Sequence, residues 1–162
     1  MRIGVISDTH IPDKAQAIPR EILDEFKNVD MIIHAGDLVD LSTLRQLEEV
    51  CHDVRAVYGN MDPENVRNKL PEKLIFSVGI YKIAVMHGAG PANSLVRLLS
   101  AVFKKDKVDM VIFGHSHTAF NEKVENILFF NPGSATDKIF APFNSYGIIE
   151  IDADIQAKII KL

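Results

Sequence analysis

Apolar residues arrive along this chain in short, dense runs, and most runs stop abruptly at a glycine or a polar residue. Arg2 to Ile6 reads as a first buried strand, ending at Ser7-Asp8-Thr9-His10. Val29 to His34, Val54 to Tyr58 and Val108 to Phe113 have the same character. They deliver Ala35-Gly36-Asp37, Gly59-Asn60-Met61-Asp62 and Gly114-His115-Ser116-His117. Brief apolar runs bounded by turn residues predict strands, and the nearly uninterrupted ones, Met31 to Ile33 and Met110 to Phe113, require cover on both faces. Between these runs the period becomes helical. Pro19 opens a stretch in which Ile22, Leu23 and Phe26 share a stripe, and Leu44, Leu47 and Val50 repeat it after Ser42 as the expected cap. Ala92 to Phe103 predicts a further helix with Leu95, Leu98, Leu99 and Val102 as its buried stripe, closed by the charged Lys104 to Lys107.

The second half changes rhythm. Asp62-Pro63 begins a polar, irregular stretch to Pro71, after which Leu74 to Val78 and Tyr81 to Met86 predict a hairpin across Gly79-Ile80, with His87 at its end. From Phe120 onward all is strand: Asn121 to Val124, Ile127 to Phe130, Ser145 to Ile151 and Ile155 to Ile160. Strand and helix alternate first and hairpins follow, a mixture that predicts an α/β fold of two packed sheets with helices on their outer faces rather than one doubly wound sheet. No repeat, linker or low-complexity run marks a boundary, so residues 1–162 are expected to form a single domain.

Composition narrows the picture. A chain of 162 residues, 47% of them hydrophobic, can bury a core without disulfides, and its one cysteine, Cys51, lies among Glu48, Glu49, His52 and Asp53, which do little to activate a thiolate. Cys51 is therefore expected to be structural. A net charge of −4 gives no global attraction to nucleic acid. The first residues read directly as a strand rather than a leader, and no apolar run approaches the roughly 20 residues that span a bilayer, so a cytoplasmic location is expected.

The chemistry lies at the run ends. Asp8 and His10 are two residues apart, a spacing that puts both on one face of an extended segment, and His115 and His117 repeat it after a glycine. Asp37, Asn60 and His87 each close a further run. Singly they have ordinary explanations: Asp37 as a helix cap or turn, Gly59-Asn60 as a turn, His87 as a core histidine. Together they fall where strand ends converge on one edge of an α/β fold. Carboxylate, amide and imidazole donors suit Mn²⁺, Fe or Zn²⁺, and a closed structural zinc site is disfavoured because there is no cysteine cluster. An aspartate can bridge two ions about 3.5–4 Å apart, which activate a hydroxide and neutralise a transferring phosphoryl group. Asp62 either orients a ligand through a hydrogen bond or makes a local turn with Pro63. His34 is expected to pack or to support a ligand, and His52 to lie at the surface. Asn131-Pro132-Gly133-Ser134 either returns past the metals or is simply a turn. Phe129, Phe130, Phe140 and Phe143 read as core or subunit contact, since no Lys/Arg track accompanies them.

In their order, Ile6 to His10, His34 to Asp37, Gly59 to Asp62, His87-Gly88, Phe113 to His117 and Asn131 to Ser134 resemble the signature of the calcineurin-like metallophosphoesterase superfamily, and above all its small single-domain bacterial and archaeal phosphodiesterases. Nearly the whole chain takes part. The resemblance implies a four-layer α/β/β/α sandwich with two mixed sheets flanked by helices. It implies Asp8, His10, Asp37 and His117 around one ion, and Asp37, Asn60, His87 and His115 around the other, with Asp37 bridging. Asp37, Asn60 and Asp62 are expected to carry the reaction, two divalent ions to be the cofactors, with Mn²⁺ favoured over Ni²⁺, Zn²⁺ or Fe, and a small phosphodiester to be attacked in line by a metal-bridging hydroxide. Two departures stand out. Met61 occupies a position where many members have a histidine that can protonate the leaving oxygen or contact the phosphate, and a thioether cannot donate a proton. His87-Gly88-Ala89 stands where relatives commonly show His-Gly-His. The alternatives are a nuclease, which would need added domains or a basic groove, and a scaffold such as the eukaryotic retromer component of this fold, whose metal set is degraded. A homodimer is expected, with apolar surface offered by Ile155 to Ile160 and the Phe140 to Phe143 loop.

Overall fold

In a computed structural model describing residues 1–162, the apolar runs pair into two five-stranded mixed sheets. The first contains β1 (Arg2–Ile6), β2 (Met31–His34), β3 (Val54–Ala56), β9 (Ser145–Ile151) and β10 (Ile155–Lys161), in the order β10-β9-β1-β2-β3. The second contains β4 (Lys73–Val78), β5 (Tyr81–Met86), β6 (Met110–Ile112), β7 (Phe120–Val124) and β8 (Ile127–Asn131), in the order β4-β5-β6-β8-β7. Each sheet has a parallel trio, β1-β2-β3 in one and β5-β6-β8 in the other, flanked by antiparallel strands.

Strand alternation explains why these runs are apolar throughout. Ile3, Val5, Met31, Ile33, Met110 and Ile112 point between the sheets into a shared core, while Ile6, Ile32 and Val111 point outward beneath the helices. Helices α1 (Arg20–Phe26) and α2 (Ser42–Glu48) cover the first sheet through Ile22, Phe26 and Leu47. Helix α4 (Leu95–Phe103) covers the second. The expected α/β/β/α layering is present. Cys51 is buried, with its Sγ near the Val29 and Asp53 carbonyls, and His52 is exposed.

Three local expectations change. The stretch after Asp62-Pro63 contains a one-turn helix, α3 (Glu64–Arg67), which buries Val66. In α4 the buried stripe is Leu95, Leu99 and Phe103, whereas Leu98 and Val102 are 42% and 43% exposed. The i, i+4, i+8 row lets the larger Phe103 ring fill the space under the helix, and Leu98 and Val102 rotate toward its flank. Ser42 does not cap α2; instead Asp40 Oδ1 accepts the Ser42 amide at 2.8 Å. A carboxylate two residues upstream thus satisfies a first-turn donor.

Candidate metal centre

All the motif residues leave the carboxyl ends of the six parallel strands. Asp8 and His10 follow β1, Asp37 follows β2, and Asn60 follows β3; across the inter-sheet core, His87 follows β5, His115 and His117 follow β6, and Asn131 ends β8. The loops stay paired beyond the strands. The Asp8 amide donates to Gly36 O at 3.0 Å and the His10 amide to Asp37 O at 3.0 Å, while the Gly114 amide donates to His87 O at 3.1 Å. Two rows of ligand-bearing loops therefore face each other across the seam between the sheets.

The spacing of the ligands works differently from an extended segment. Asp8, His10, Asp37, His115 and His117 all have left-handed backbones, with φ of 52°, 42°, 57°, 71° and 54°. Such conformations are unusual for residues other than glycine and persist where surrounding bonds over-determine them. Each Asp-x-His or His-x-His pair thus turns both side chains inward from a tight loop. Gly59 and Gly114 make this crowding tolerable. A Cβ on Gly59 would collide with Asp37 Oδ1 and stand 2.7 Å from the His87 ring, and one on Gly114 would strike Ser7 Oγ and stand 2.7 Å from Asp8 Oδ2.

The two aspartates divide their oxygens in the same way. Asp8 Oδ2 accepts from Ser7 Oγ at 2.7 Å and from the His115 amide at 3.1 Å. Its Oδ1 faces His117 Nε2 at 3.3 Å, His87 Nε2 at 3.7 Å and His10 Nε2 at 4.0 Å. Asp37 Oδ1 accepts the Met61 amide at 2.7 Å, whereas Oδ2 faces His87 Nε2 at 3.2 Å and His10 Nε2 at 3.6 Å. Two groups, Asp8 with His10 and His117, and Asp8 with Asp37 and His87, each bring one donor atom per residue within 4.8 Å of the others.

The chemistry of these groups fits a pair of cations. His87 Nδ1 donates to Ala35 O at 2.7 Å, which fixes the tautomer and aims the Nε2 lone pair at the two carboxylates. That Nε2 is buried with no hydrogen-bond partner, an orphan that a divalent ion would satisfy. Charge tells the same story. Burial would lower the His87 imidazole, yet Asp8 and Asp37 outweigh it and raise its pKa to about 9, so without metal a proton takes the place of the cation. His117 also rises, against burial, through Asp8 and Asp137. Burial opposes the ionised form of Asp8 and Asp37, but the His87 and His117 contacts hold Asp8 low, and His87 with the Met61 amide holds Asp37 low. Burial lowers His10, with Asp37 opposing.

Asn60 and His115 are brought to the same place but not into these tight groups. His115 Nδ1 meets Asn60 Oδ1 at 2.8 Å, and its Nε2 meets Gly90 O at 2.9 Å. Asp62 is an anchor: its Oδ2 accepts the Gly59 and Asp37 amides at 2.7 and 3.0 Å, and its Oδ1 the Val39 amide at 2.6 Å, although burial pushes its pKa up. Arg67 pins the same loop by donating to Asp62 O at 2.6 Å and Asn60 O at 2.7 Å. His34 packs as a neutral ring, its pKa lowered by burial to about 3, bridging Thr9 Oγ1 at 3.0 Å and the Gly36 amide at 3.2 Å. The Asn131 to Ser134 segment does pass the site. Asn131 Nδ2 donates to Gly114 O at 2.8 Å, and Ser134 Oγ to Asp8 O at 2.7 Å.

One residue escaped the sequence reading altogether. Asp137 Oδ2 receives His117 Nδ1 at 2.6 Å, which orients that imidazole toward Asp8, and its Oδ1 collects the Ile139 and Phe140 amides at 2.8 and 3.2 Å. Ala135-Thr136-Asp137-Lys138 looks like an ordinary polar turn, and only the fold places it behind His117.

Comparison with known proteins agrees with this geometry. The model of the calcineurin-like phosphoesterase superfamily domain matches residues 1–154. A probable metallophosphoesterase of Methanocaldococcus jannaschii is 40% identical over 100% of this chain and 82% of its own length. A phosphodiesterase of the same organism is 32% identical over 82% of this chain and 83% of its own. The crystal structure of wild-type Vps29 complexed with zinc, from Entamoeba histolytica, superposes with a TM-score of 0.78 at 26% identity, over 99% of each chain.

Proposed function

Because the chain belongs to the calcineurin-like phosphoesterase superfamily, we propose that it is a phosphodiesterase acting on small anionic diesters from a dinuclear centre. The observation that carries this reading is the convergence of Asp8, Asp37, His10, His87 and His117 around a buried, unpartnered imidazole nitrogen. Asp8, His10, Asp37 and His117 are assigned to one ion, and Asp37, Asn60, His87 and His115 to the other. Asp37 as the bridge is supported by its Oδ2, which faces both His10 and His87. The donors are hard oxygens and imidazoles without thiolate, which suit Mn²⁺, Ni²⁺, Zn²⁺ and Fe; the family resemblance favours Mn²⁺ as the activating ion. Two bound divalent ions supply an acidified water as nucleophile and neutralise the phosphoryl oxygens.

The protein's own residues set the rest of the chemistry. Asp37 and Asp8 hold their negative charge in a buried seam, and the Asp62 carboxylate fixes the Gly59 and Asp37 backbones that aim Asp37 and Asn60. The substrate enters a pocket of about 310 Å³ that reaches Asp37, His10 and His117. Met61 is 58% exposed on its lining and offers no proton to a leaving oxygen. Aryl diesters should therefore be hydrolysed on the order of 10²-fold faster than alkyl diesters under identical metal loading, and equal rates would exclude this account.

The pocket lining contains one lysine, Lys14, and no arginine, rather than the cationic track of a nuclease. We assign residues 1–162 to one catalytic domain. A cytoplasmic location is proposed, and no helix is long and apolar enough to cross a membrane. A homodimer is proposed through β10, the open edge of its sheet, with light scattering as its test. The decisive experiment removes metal with a chelator and restores Mn²⁺, Ni²⁺, Zn²⁺ or Mg²⁺ in turn, following turnover of an aryl phosphodiester. Activity should vanish and return; turnover indifferent to chelation would overturn the proposal.

A further inference from the structure

Asp137 does more than orient His117. Its Oδ1, while holding the Ile139 and Phe140 amides, also lies 3.7 Å from Lys14 Nζ, and the Lys14 amide is bound to His10 O at 2.8 Å. Lys14 Nζ in turn sits 4.9 Å from the centroid of the Phe140 ring, within cation–π range. Phe140 meets His117 edge-on, with centroids 6.4 Å apart and planes at 72°. Yet Phe140 is 70% exposed, unlike Phe129 and Phe130, which are fully buried in the core. It lines the pocket that contains His10, Asp37 and His117, with Met61 on the same lining. A large aromatic held at the mouth of a polar pocket by fixed backbone bonds, beside a cation, has the chemistry to stack a flat group while its neighbour contacts an anion.

We propose that Lys14 and Phe140 form a subsite of this same centre for diesters with a flat aromatic ester group, Phe140 stacking the ring and Lys14 contacting the phosphoryl oxygens. The inference rests on the phosphoesterase reading above and adds the class of substrate. It also gives a role to a loop that the sequence pattern assigns to core or subunit contact. Lys14 retains donors beyond its Asp137 contact, so one ammonium can serve both the carboxylate and an incoming anion.

Binding of phenylphosphonate and methylphosphonate to the Mn²⁺-loaded protein, measured by calorimetry, tests this without turnover. Phe140→Ala should weaken phenylphosphonate about tenfold and leave methylphosphonate unchanged, with Phe140→Tyr restoring the difference. Equal effects on the two ligands, or none, would overturn the aromatic half. Lys14→Met should weaken both ligands about tenfold and Lys14→Arg should retain binding; no loss in Lys14→Met overturns the lysine's part. If the wild-type protein discriminates the ligands as expected but hydrolyses no aryl diester with any metal, the functional reading fails and the subsite stands. If it hydrolyses aryl diesters but binds both phosphonates alike, the subsite alone fails.

Discussion

His117 and His87 both present Nε2 to Asp8, and His87 faces Asp37 as well, but the two rings are held from behind by different kinds of group. His117 leans on the carboxylate of Asp137 at 2.6 Å, a side chain from a loop that also shapes the pocket mouth. His87 leans on the Ala35 carbonyl at 2.7 Å, a backbone atom fixed by the sheet itself. A carboxylate makes its imidazole more basic and can be removed by substitution; a carbonyl fixes orientation and cannot be deleted without refolding the loop. The half of the centre around His117 is therefore tunable, and the half around His87 is built into the fold. The difference continues outward. Asp62 grips three backbone amides on the Asp37 and Asn60 side, whereas the His117 side depends on Asp137, Asn131 and Ser134 arriving from the last third of the chain.

The harshest way to break the comparison is to change Asp37, the residue proposed above to bridge the two ions. Asp37→Asn should reduce turnover of an aryl diester by about 10³-fold or more while leaving the circular dichroism spectrum unchanged, because the amide keeps the shape but not the charge. A variant retaining a tenth of the activity would sink the bridging assignment.

The next effect separates a proton from a metal. In the chelated protein the His87 pKa is raised to about 9 from an ordinary value of 6.5, so its protonated form favours the fold. That stability is fully present below about pH 6.5 and is lost as pH rises through about 9. The fall should approach about 3 kcal/mol at most, by chemical denaturation with chelator present. His117, also raised, adds in the same direction. Asp8 and Asp37 are lowered, so their contributions are already complete across this range. His87→Gln should flatten most of the slope, and saturating Mn²⁺ should abolish it; a chelated protein with constant stability from pH 6.5 to 9.5 contradicts the charge argument.

Asp137→Asn addresses the tunable half. It should weaken one of two Mn²⁺ binding events about 10–100-fold in a calorimetric titration and spare the other. Loss of both, or of neither, would mean that the halves are not independently supported. The smallest effect is on the fixed half: Asp62→Asn places an amide group against buried backbone N–H donors and should cost about 1–3 kcal/mol of stability. Destabilisation without change in kcat per folded, metal-loaded molecule would define Asp62 as an anchor alone, and no destabilisation would contradict the three hydrogen bonds.

The candidate donor residues were legible in the sequence because their positions are local facts. An apolar run followed by Gly36-Asp37 or Gly114-His115 declares a strand end, and parallel strands send such ends to one edge. The doubly covered sheets were legible too, in runs such as Met110 to Ile112 that alternate between two apolar environments rather than between core and water. The α4 face was not, since Leu98, Leu99 and Val102 are all strongly apolar and only the space under the helix chooses among them. Asp62 and Asp40 show the same limit at smaller scale: the sequence marks a turn-forming acid, and the fold decides which amides it accepts.

The sequence by itself therefore determined the order of the strands and which donor atoms stand just beyond them, to within a residue or two at each end, because burial patterns and chemical identity are written residue by residue. Tertiary structure decided the left-handed turns that aim Asp8, His10, Asp37, His115 and His117 inward, the orphaned Nε2 of His87, and the pairing of His117 with Asp137. These depend on contacts between segments as distant as Asp8 and Ser134, and on a balance of charge and burial that exists only once two carboxylates and three imidazoles share one dry seam.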